Sequence, residues 1–291
     1  MKRMIPLLLC LVLLLGGCSE KDTPAIVATT APVQQFAQAV CAGTGLEVGL
    51  VVSDAVSCLH DYTLSVNQMA AVERAEVVIL NGCGLEAFME KPLENKPVCI
   101  DSSVGIELLC GHVHGAEEHE HGHDHGDYDP HIWLDPENAA RMTQNIAEEL
   151  AVLYPEYAEQ FAANAEAYCL RLSALKEEGL ALLEDLPCRD LITFHDGFGY
   201  FANAFSLRIL ASIEEDSGSE ASAKDLQEIT ELVEKQAVPA VFAEQNGSRS
   251  AASVIAAETG CAIGVLDTVM SGEDYFTAME RNLQAVKEVL Q

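Results

Sequence analysis

"EYAEQFAANAEAYCLRLSALKEEGLALL" occupies residues 156–183 and carries helical periodicity along its whole length. With a rise of about 1.5 Å per residue, an unbroken helix of this length would extend roughly 40 Å. A second helical segment, Asn138–Leu153, precedes it, and Pro155 separates the two. We therefore predict a long rigid helix that connects two separate parts of the chain.

Short β-type runs alternate with amphipathic segments on both sides of this helix. Such alternation predicts mostly parallel sheets flanked by helices, so the fold class is α/β with two lobes. The predicted strands are 25–29, 46–52, 76–80 and 97–101 before the helix, and 190–194, 207–213, 240–243 and 262–266 after it. The predicted flanking helices are 32–42, 65–74, 85–90, 197–204, 222–235, 250–259 and 275–290.

The first residues have the pattern of a lipoprotein signal peptide. Lys2 and Arg3 precede the apolar run Met4–Leu15, which is too short to span a bilayer as a helix. The following Gly-Gly-Cys18 resembles a bacterial lipobox, which predicts cleavage before Cys18 and lipidation of its thiol. An ordinary signal peptide with an incidental cysteine is the alternative. We expect an exported protein that is anchored by lipid to the cell membrane and faces the periplasm or the cell exterior.

These patterns divide the chain into five parts. We predict a signal peptide at 1–17, a lipidated tether at 18–24, an N-terminal α/β lobe at 25–137, a helical region with the connecting helix at 138–186, and a C-terminal α/β lobe at 187–291.

The charge balance excludes one class of partner. The chain has 16 basic and 46 acidic residues and a formal net charge of -30. Nucleic acids are bound through lysine and arginine contacts to phosphate, so we expect no nucleic-acid partner. The negative field weakly favours cations near the surface but does not select among them.

The distribution of the nine histidines points to a transition metal. Six of them crowd into an acidic segment at 111–126, which has almost no apolar residues and is predicted to be a loop that binds metal weakly. A solvated spacer with incidental metal binding is the alternative. Neutral imidazole is the commonest protein ligand for zinc and its neighbours. The six are His112, His114, His119, His121, His123 and His125.

Two of the three remaining histidines, and one aspartate, stand near predicted strand ends. His195 follows the strand 190–194, Asp267 follows the strand 262–266, and His60 lies a few residues past the strand 46–52. Ligands of open α/β sheets bind beyond the carboxyl ends of the strands, so these side chains point to one cleft. His131 lies in "DPHIWLDP" (129–136), directly before the helical region. An Asp–His catalytic pair, or a turn begun by Asp267, is the alternative reading of these residues.

Four segments together resemble a known family, the solute-binding lipoproteins of bacterial zinc/manganese ABC transporters. The most specific is "DPHIWLDPENAARM" (129–142), and the resemblance covers essentially all of the sequence after the signal peptide. It implies two α/β lobes bridged by a long rigid helix. The other three are "LSVNQMAAVERAEVVILNGCGLEAFM" (64–89), "LITFHDGFGYFANAF" (191–205) and "VLDTVMSGEDYFTAMERNL" (265–283).

Carried over by position, the resemblance implies four metal ligands: His60, His131, His195 and Asp267. Members that transport manganese often have a carboxylate at the position of His195, and three imidazoles with one carboxylate favour zinc. The His-rich insertion likewise resembles that of zinc-type members.

Several further residues are candidates for supporting or joining this site. Asp61, Asp196 and Glu244 could orient the imidazoles by hydrogen bonds. This chain reads Glu244-Gln-Asn where members often have Glu-Pro, which leaves the role of Glu244 open. Cys58 is an alternative ligand, because thiolates suit zinc and it lies two residues before His60.

The resemblance implies a zinc-binding component of an ABC uptake system, with a membrane permease and its cytoplasmic ATPase as partners. We expect a monomer. We also expect no catalytic activity, because a filled four-ligand shell leaves no position for an activated water. The alternatives are manganese or iron as cargo, an adhesin-like surface lipoprotein, and a secreted zinc hydrolase with Asp267 or Glu244 as general base. No HExxH motif supports the hydrolase.

Overall fold

The computed structural model describes residues 24–53, 59, 62–94, 96, 98–110, 128–214 and 221–291. It contains two four-stranded sheets, and every pairing between their strands is parallel. Helices flank both sheets, and one long helix connects the two halves of the chain. The predicted two-lobed α/β fold is confirmed.

The first sheet has the strand order β2-β1-β3-β4 and belongs to the N-terminal lobe. Its strands are β1 (Ile26–Ala28), β2 (Val48–Leu50), β3 (Val77–Leu80) and β4 (Cys99–Asp101). Its helices are α1 (Ala31–Val40), α2 (Val66–Arg74) and α3 (Glu90–Leu93).

The second sheet has the order β6-β5-β7-β8 and belongs to the C-terminal lobe. Its strands are β5 (Asp190–His195), β6 (Arg208–Glu214), β7 (Ala240–Glu244) and β8 (Ala262–Leu266). The helices of this lobe are α6 (Gly199–Ala204), α7 (Ala223–Gln236), α8 (Ser250–Thr259) and α9 (Tyr275–Leu290).

The central strands are buried along their length, as expected for parallel strands covered by helices on both faces. All residues of β1 and β7 are buried, and β1 pairs with both β2 and β3 from Ile26 onwards. Parallel strands bring their carboxyl ends to the same edge of a sheet. His195 and Glu244 are the last residues of β5 and β7, and Asp267 directly follows β8. The second sheet therefore places these three residues at one edge.

Two packed helices join the lobes: α4 (Pro136–Leu153) and α5 (Ala158–Leu182), with a short 3₁₀ turn at Pro155–Tyr157 between them. The Asn164 side chain of α5 donates hydrogen bonds to Val40 O and Ala42 O of the N-terminal lobe. Near its other end, Gly179 lies so close to Phe205 that an added Cβ would approach the ring to 2.4 Å. The connecting helix is thus packed against both lobes.

Local capping explains where several helices begin. Ser65, predicted as an N-cap, forms a reciprocal capping box with Gln68 at the start of α2. Asp135 caps α4 by accepting from Glu137 N at 2.8 Å, and Pro136 occupies the first helical position. The predicted helix at 85–90 is instead a 3₁₀ helix, Leu85–Met89, that continues into α3.

No helix in the described part of the chain is both long enough and apolar enough to cross a bilayer.

Candidate metal site

His131 and His195 meet between the two lobes. Their Nε2 atoms lie 3.0 Å apart, and the rings are edge-on with centroids 4.9 Å apart. His195 ends β5 in the C-terminal lobe, whereas His131 lies in the segment that enters the connecting helices. Both side chains are buried, with 2% and 5% of each residue exposed. The structure therefore joins two of the predicted ligands across the lobes.

Asp129 fixes the orientation of the His131 ring. One of its oxygens, Oδ1, accepts hydrogen bonds from the His131 backbone N at 2.9 Å and from Nδ1 at 2.8 Å. A neutral imidazole that donates from Nδ1 has its lone pair on Nε2, the atom that faces His195. Burial alone would raise the pKa of Asp129, but the hydrogen bonds and positive charge of His131, with a smaller contribution from His195, lower it. Asp129 is thus a carboxylate that orients the His131 ring, as the hydrogen-bonded partners of metal-ligating histidines do.

The backbone at Gly197 passes close to both imidazole rings. Gly197 follows His195 by two residues, and a Cβ added there would lie 2.7 Å from His195 Nε2 and 2.9 Å from His131 Cε1. A side chain at this position would collide with both imidazoles. Glycine therefore leaves the two rings room to face each other.

The N-terminal lobe holds the segment before His131. The Asn81 side chain, just past β3, donates to Pro130 O at 3.0 Å. Asn81 is in turn fixed by the buried Glu86, which accepts from the backbone N atoms of Asn81 and Gly82 and from the Thr29 hydroxyl. Burial raises the pKa of Glu86 to about 7 despite these hydrogen bonds. The motif Asn-Gly-x-Gly-Leu-Glu thus anchors the loop that carries His131.

The residues that flank the His-rich segment pair directly beside Asp129. Cys110 and Tyr128 form an antiparallel bridge, and Asp129 N donates to Leu109 O at 2.9 Å. Leu109 N in turn donates to the Tyr200 hydroxyl at 2.9 Å, which ties this ribbon to α6 of the other lobe. The residues on both sides of the His-rich segment therefore lie next to Asp129, the carboxylate that bonds His131.

Asp267 is buried and held from two sides. Its Oδ1 accepts from Val269 N at 2.7 Å, and its Oδ2 accepts from Arg281 Nη2 at 2.7 Å. Asn282, the next residue of α9, holds the Asp267 backbone by donating to its O and accepting from its N. The carboxylate is thus already paired with a cation of the protein itself.

Trp133 links the His131 segment to the Asp267 loop. Its indole Nε1 donates to Thr268 O at 2.8 Å, and its ring packs against His131 with centroids 5.2 Å apart. The Thr268 hydroxyl donates to Glu244 Oε1 at 3.3 Å. Glu244 is buried at the end of β7, on the strand between those of His195 and Asp267. It lies at the same edge as the predicted ligands.

The remaining predicted residues fall into two groups. Asp196, next to His195, accepts a hydrogen bond from the Ser212 hydroxyl at 3.0 Å. The others lie outside the described residues: His60, Asp61, the alternative ligand Cys58, the lipidation site Cys18 and the six histidines of the 111–126 segment.

Two imidazoles are a partial metal shell. Among the residues that the structure describes, no three His, Cys, Asp or Glu side chains form a ready metal-binding group. Tetrahedral zinc with Zn–N distances of about 2.0–2.1 Å would separate two ligand nitrogens by about 3.3–3.4 Å. The observed Nε2–Nε2 distance of 3.0 Å needs only a small outward movement to reach that value. The Nε2–Nε2 distance of the pair is thus close to that between two nitrogen ligands of one tetrahedral cation.

Asp129 is a functional residue that the sequence reasoning missed. It lies in the quoted motif, and the signal was its Asp-Pro-His spacing, which returns a carboxylate to the histidine two residues later.

Comparison with known proteins gives a family for this two-lobed fold. The family model described as "Zinc-uptake complex component A periplasmic" matches residues 26–289. The chain belongs to this family, which confirms the resemblance found in the sequence.

Individual relatives agree with this assignment. The zinc-binding lipoprotein AdcA of Streptococcus pneumoniae serotype 4 is 31% identical over 96% of this chain and 59% of its own length. The high-affinity zinc uptake system protein ZnuA of Brucella abortus is 28% identical over 97% of both chains. The crystal structure of the Zn(II)-bound ZnuA-like domain of Streptococcus pneumoniae AdcA covers 91% of this chain and 98% of that domain, with 29% identity and a TM-score of 0.75. The chain thus spans about three fifths of AdcA and nearly all of the Brucella protein.

Proposed function

We propose that this chain is the extracytoplasmic zinc-binding component of a high-affinity zinc ABC uptake system. It captures Zn²⁺ between its lobes and delivers it to a membrane permease that is driven by a cytoplasmic ATPase. The observation that carries the proposal is the pair of buried Nε2 atoms, 3.0 Å apart, one from β5 and one from the segment that precedes the connecting helices. Family membership and the names of the relatives support zinc as the cargo.

The ligands in this proposal are His60, His131, His195 and Asp267. Three neutral imidazoles and one carboxylate give a four-coordinate shell that suits zinc better than manganese, which prefers more oxygen. Asp267 would bring to this shell a carboxylate that already accepts a hydrogen bond from Arg281. A filled shell leaves no position for an activated water, so the site binds and releases its ion rather than performing catalysis.

The export route follows from the first residues. Residues 1–17 are the signal peptide, and lipid on Cys18 holds the monomeric protein to the outer face of the cell membrane through the tether 18–24. The periplasmic family description and the lipoprotein name of AdcA support this localisation. More than one acyl chain is needed for stable anchoring, because each buried methylene contributes only about 0.8 kcal/mol.

The His-rich segment 111–126 adds weak sites beside the tight one. Its flanking residues pair next to Asp129, so ions gathered there are released close to the cleft.

Zinc titration of the protein without its signal peptide and lipid, with and without residues 111–126, tests this proposal. We expect one tight zinc equivalent in both forms and additional weak binding only in the form with the segment. Loss of the tight equivalent on deletion would place the site in the segment and contradict the proposal. Absence of tight zinc binding in both forms would refute the zinc-uptake function.

A further inference from the structure

Helix α9 holds Asp267 through two neighbouring residues that act on different parts of it. The Asn282 side chain accepts a hydrogen bond from Asp267 N and donates one to Asp267 O, both at 2.8 Å. Arg281 bonds only the side chain, through Nη2 to Oδ2 at 2.7 Å. A change at residue 281 therefore alters the carboxylate and leaves the backbone clamp in place.

Arg281 has a second acidic partner. Its Nη1 lies 2.6 Å from Glu273 Oε2, and the two partners differ strongly in burial. The Asp267 side chain is 1% exposed, whereas those of Arg281 and Glu273 are 39% and 34% exposed. The guanidinium can thus leave Asp267 for the solvent boundary without losing its pairing with Glu273.

We propose that Arg281 is a selectivity residue, which holds Asp267 Oδ2 and thereby disfavours cations that depend on carboxylate oxygen. The inference rests on the proposed zinc-binding function of the same cleft. An ion that uses Asp267 Oδ2 shares that oxygen with a charge-assisted hydrogen bond, and the positive charge of the partly exposed Arg281 opposes the ion. Manganese gains most of its binding from oxygen ligands and little from imidazole, so this competition weakens it most. Zinc keeps its imidazole contacts and loses less.

The Arg281→Met variant tests this role, with Mn²⁺ and Zn²⁺ as the probes in competitive titrations. We expect the manganese Kd to fall by about tenfold, the equivalent of one charged hydrogen bond, and the zinc Kd to fall much less. Arg208→Met is the matched control. It removes the same charge from an exposed pair with Asp190 at the opposite end of β5, and it should leave both affinities unchanged.

Two further variants separate a direct effect on Asp267 from a general change in charge or folding. In an Asp267→Asn background, Arg281→Met should no longer change the Zn/Mn ratio. Glu273→Gln removes the second partner of Arg281, so it should strengthen the hold on Asp267 and weaken manganese binding. This opposite shift remains measurable even if Arg281→Met does not fold.

The outcomes distinguish the selectivity role from the zinc-uptake function. Equal tightening of both metals, or no change in either, would overturn the role of Arg281 while tight zinc binding by the unmodified protein still supports the uptake function. Failure of the unmodified protein to bind zinc would overturn the uptake function, and the inference with it.

Discussion

At the scale of single residues, the site depends on which nitrogen of His131 faces the cleft. A histidine has two possible neutral tautomers, and only one presents a lone pair at Nε2. The Asp129 carboxylate selects that tautomer by accepting from Nδ1, and its lowered pKa keeps it ionised in the ordinary pH range. The ring is therefore oriented before any ion arrives, which reduces the cost of binding.

Asp129→Asn is expected to weaken zinc binding. The amide keeps the size of the side chain but removes the negative charge that supports the His131 ring. Losses from such partners of metal ligands are typically about 10- to 100-fold in affinity. Competitive zinc titration measures the loss. Asp190→Asn, at the amino end of β5, is the matched control and should bind zinc like the unmodified protein; an equal loss there would rule out a specific role for Asp129.

Glu86 makes the stability of the N-terminal lobe depend on pH. Its pKa is about 7 in the folded protein, raised by burial from an ordinary value of 4.5. Between these two pKa values the folded state holds a proton that the unfolded state has lost. The protonated Glu86 therefore contributes to the free energy of unfolding, and this contribution is fully present below about pH 4.5 and is lost as pH rises through 7. The shift corresponds to at most about 3 kcal/mol.

Unfolding of Glu86→Gln at a series of pH values checks this. The unmodified protein should lose stability relative to the variant as pH rises from about 5 to about 8. The exposed Glu228, paired with Lys224, provides the control Glu228→Gln, which should follow the unmodified protein. A pH-independent difference between Glu86→Gln and the unmodified protein would contradict the raised pKa.

At the scale of elements, periodicity and capping predicted most of the helices and strands. The helix α8 and the strand β8 have the predicted ends, and Ser65 caps α2 as predicted. The deviations have local causes. The segment after Gly84 begins as a 3₁₀ helix, because that glycine has a left-handed backbone and the turn is tight. Such tight turns are not encoded by apolar spacing.

Gly179 shows how packing overrides helix propensity within the connecting helix. Alanine at an interior glycine normally stabilises a helix by up to about 1 kcal/mol. Here its Cβ would lie 2.4 Å from Phe205 Cε1 and 2.9 Å from Leu283 Cδ1. We expect Gly179→Ala to destabilise the protein by about 1–3 kcal/mol, the usual cost of overpacking. Denaturant unfolding measures the change, and a gain in stability would show that the contact is not restrictive.

The candidate site could be predicted only in part from the sequence. Strand ends located His195 and Asp267, because parallel strands share one edge, and the structure brings His195 to His131. Asp129 was missed although its spacing from His131 is a local signal, because the motif does not show that the carboxylate folds back onto the ring. Arg281 was missed because its role depends on a contact between segments that no sequence spacing reveals. Arg281 lies on α9, which begins eight residues after Asp267. Apolar periodicity predicts which face of this helix is buried, but it does not predict which residue a polar side chain on the helix contacts.

At the scale of the whole molecule, the connecting helix limits how far the lobes can move. Helix α5 packs on α4 and contacts both α1 and α9, so it belongs to both lobes at once. Opening the cleft widely would break contacts such as Asn164 with Val40 and Gly179 with Phe205. We therefore predict that the metal is bound and released through local loop movements rather than wide hinge closure.

Solution scattering tests this limit. Profiles of the protein with and without zinc should nearly superimpose, since neither lobe can swing without separating from α5. A clear compaction on zinc binding would show a hinge that the helix packing does not predict. Binding should be verified on the same samples, because a sample without zinc would give the same result trivially.

The central claim is that the histidine pair between the lobes is the zinc site, and one measurement tests it most directly. This is a competitive zinc titration of the lipid-free protein beside its His195→Ala variant, with metal content determined for both. We predict one tight zinc equivalent in the unmodified protein and its loss in the variant, which removes one of the two facing Nε2 atoms. Tight zinc binding that survives in a folded His195→Ala protein would contradict the account and place the site elsewhere.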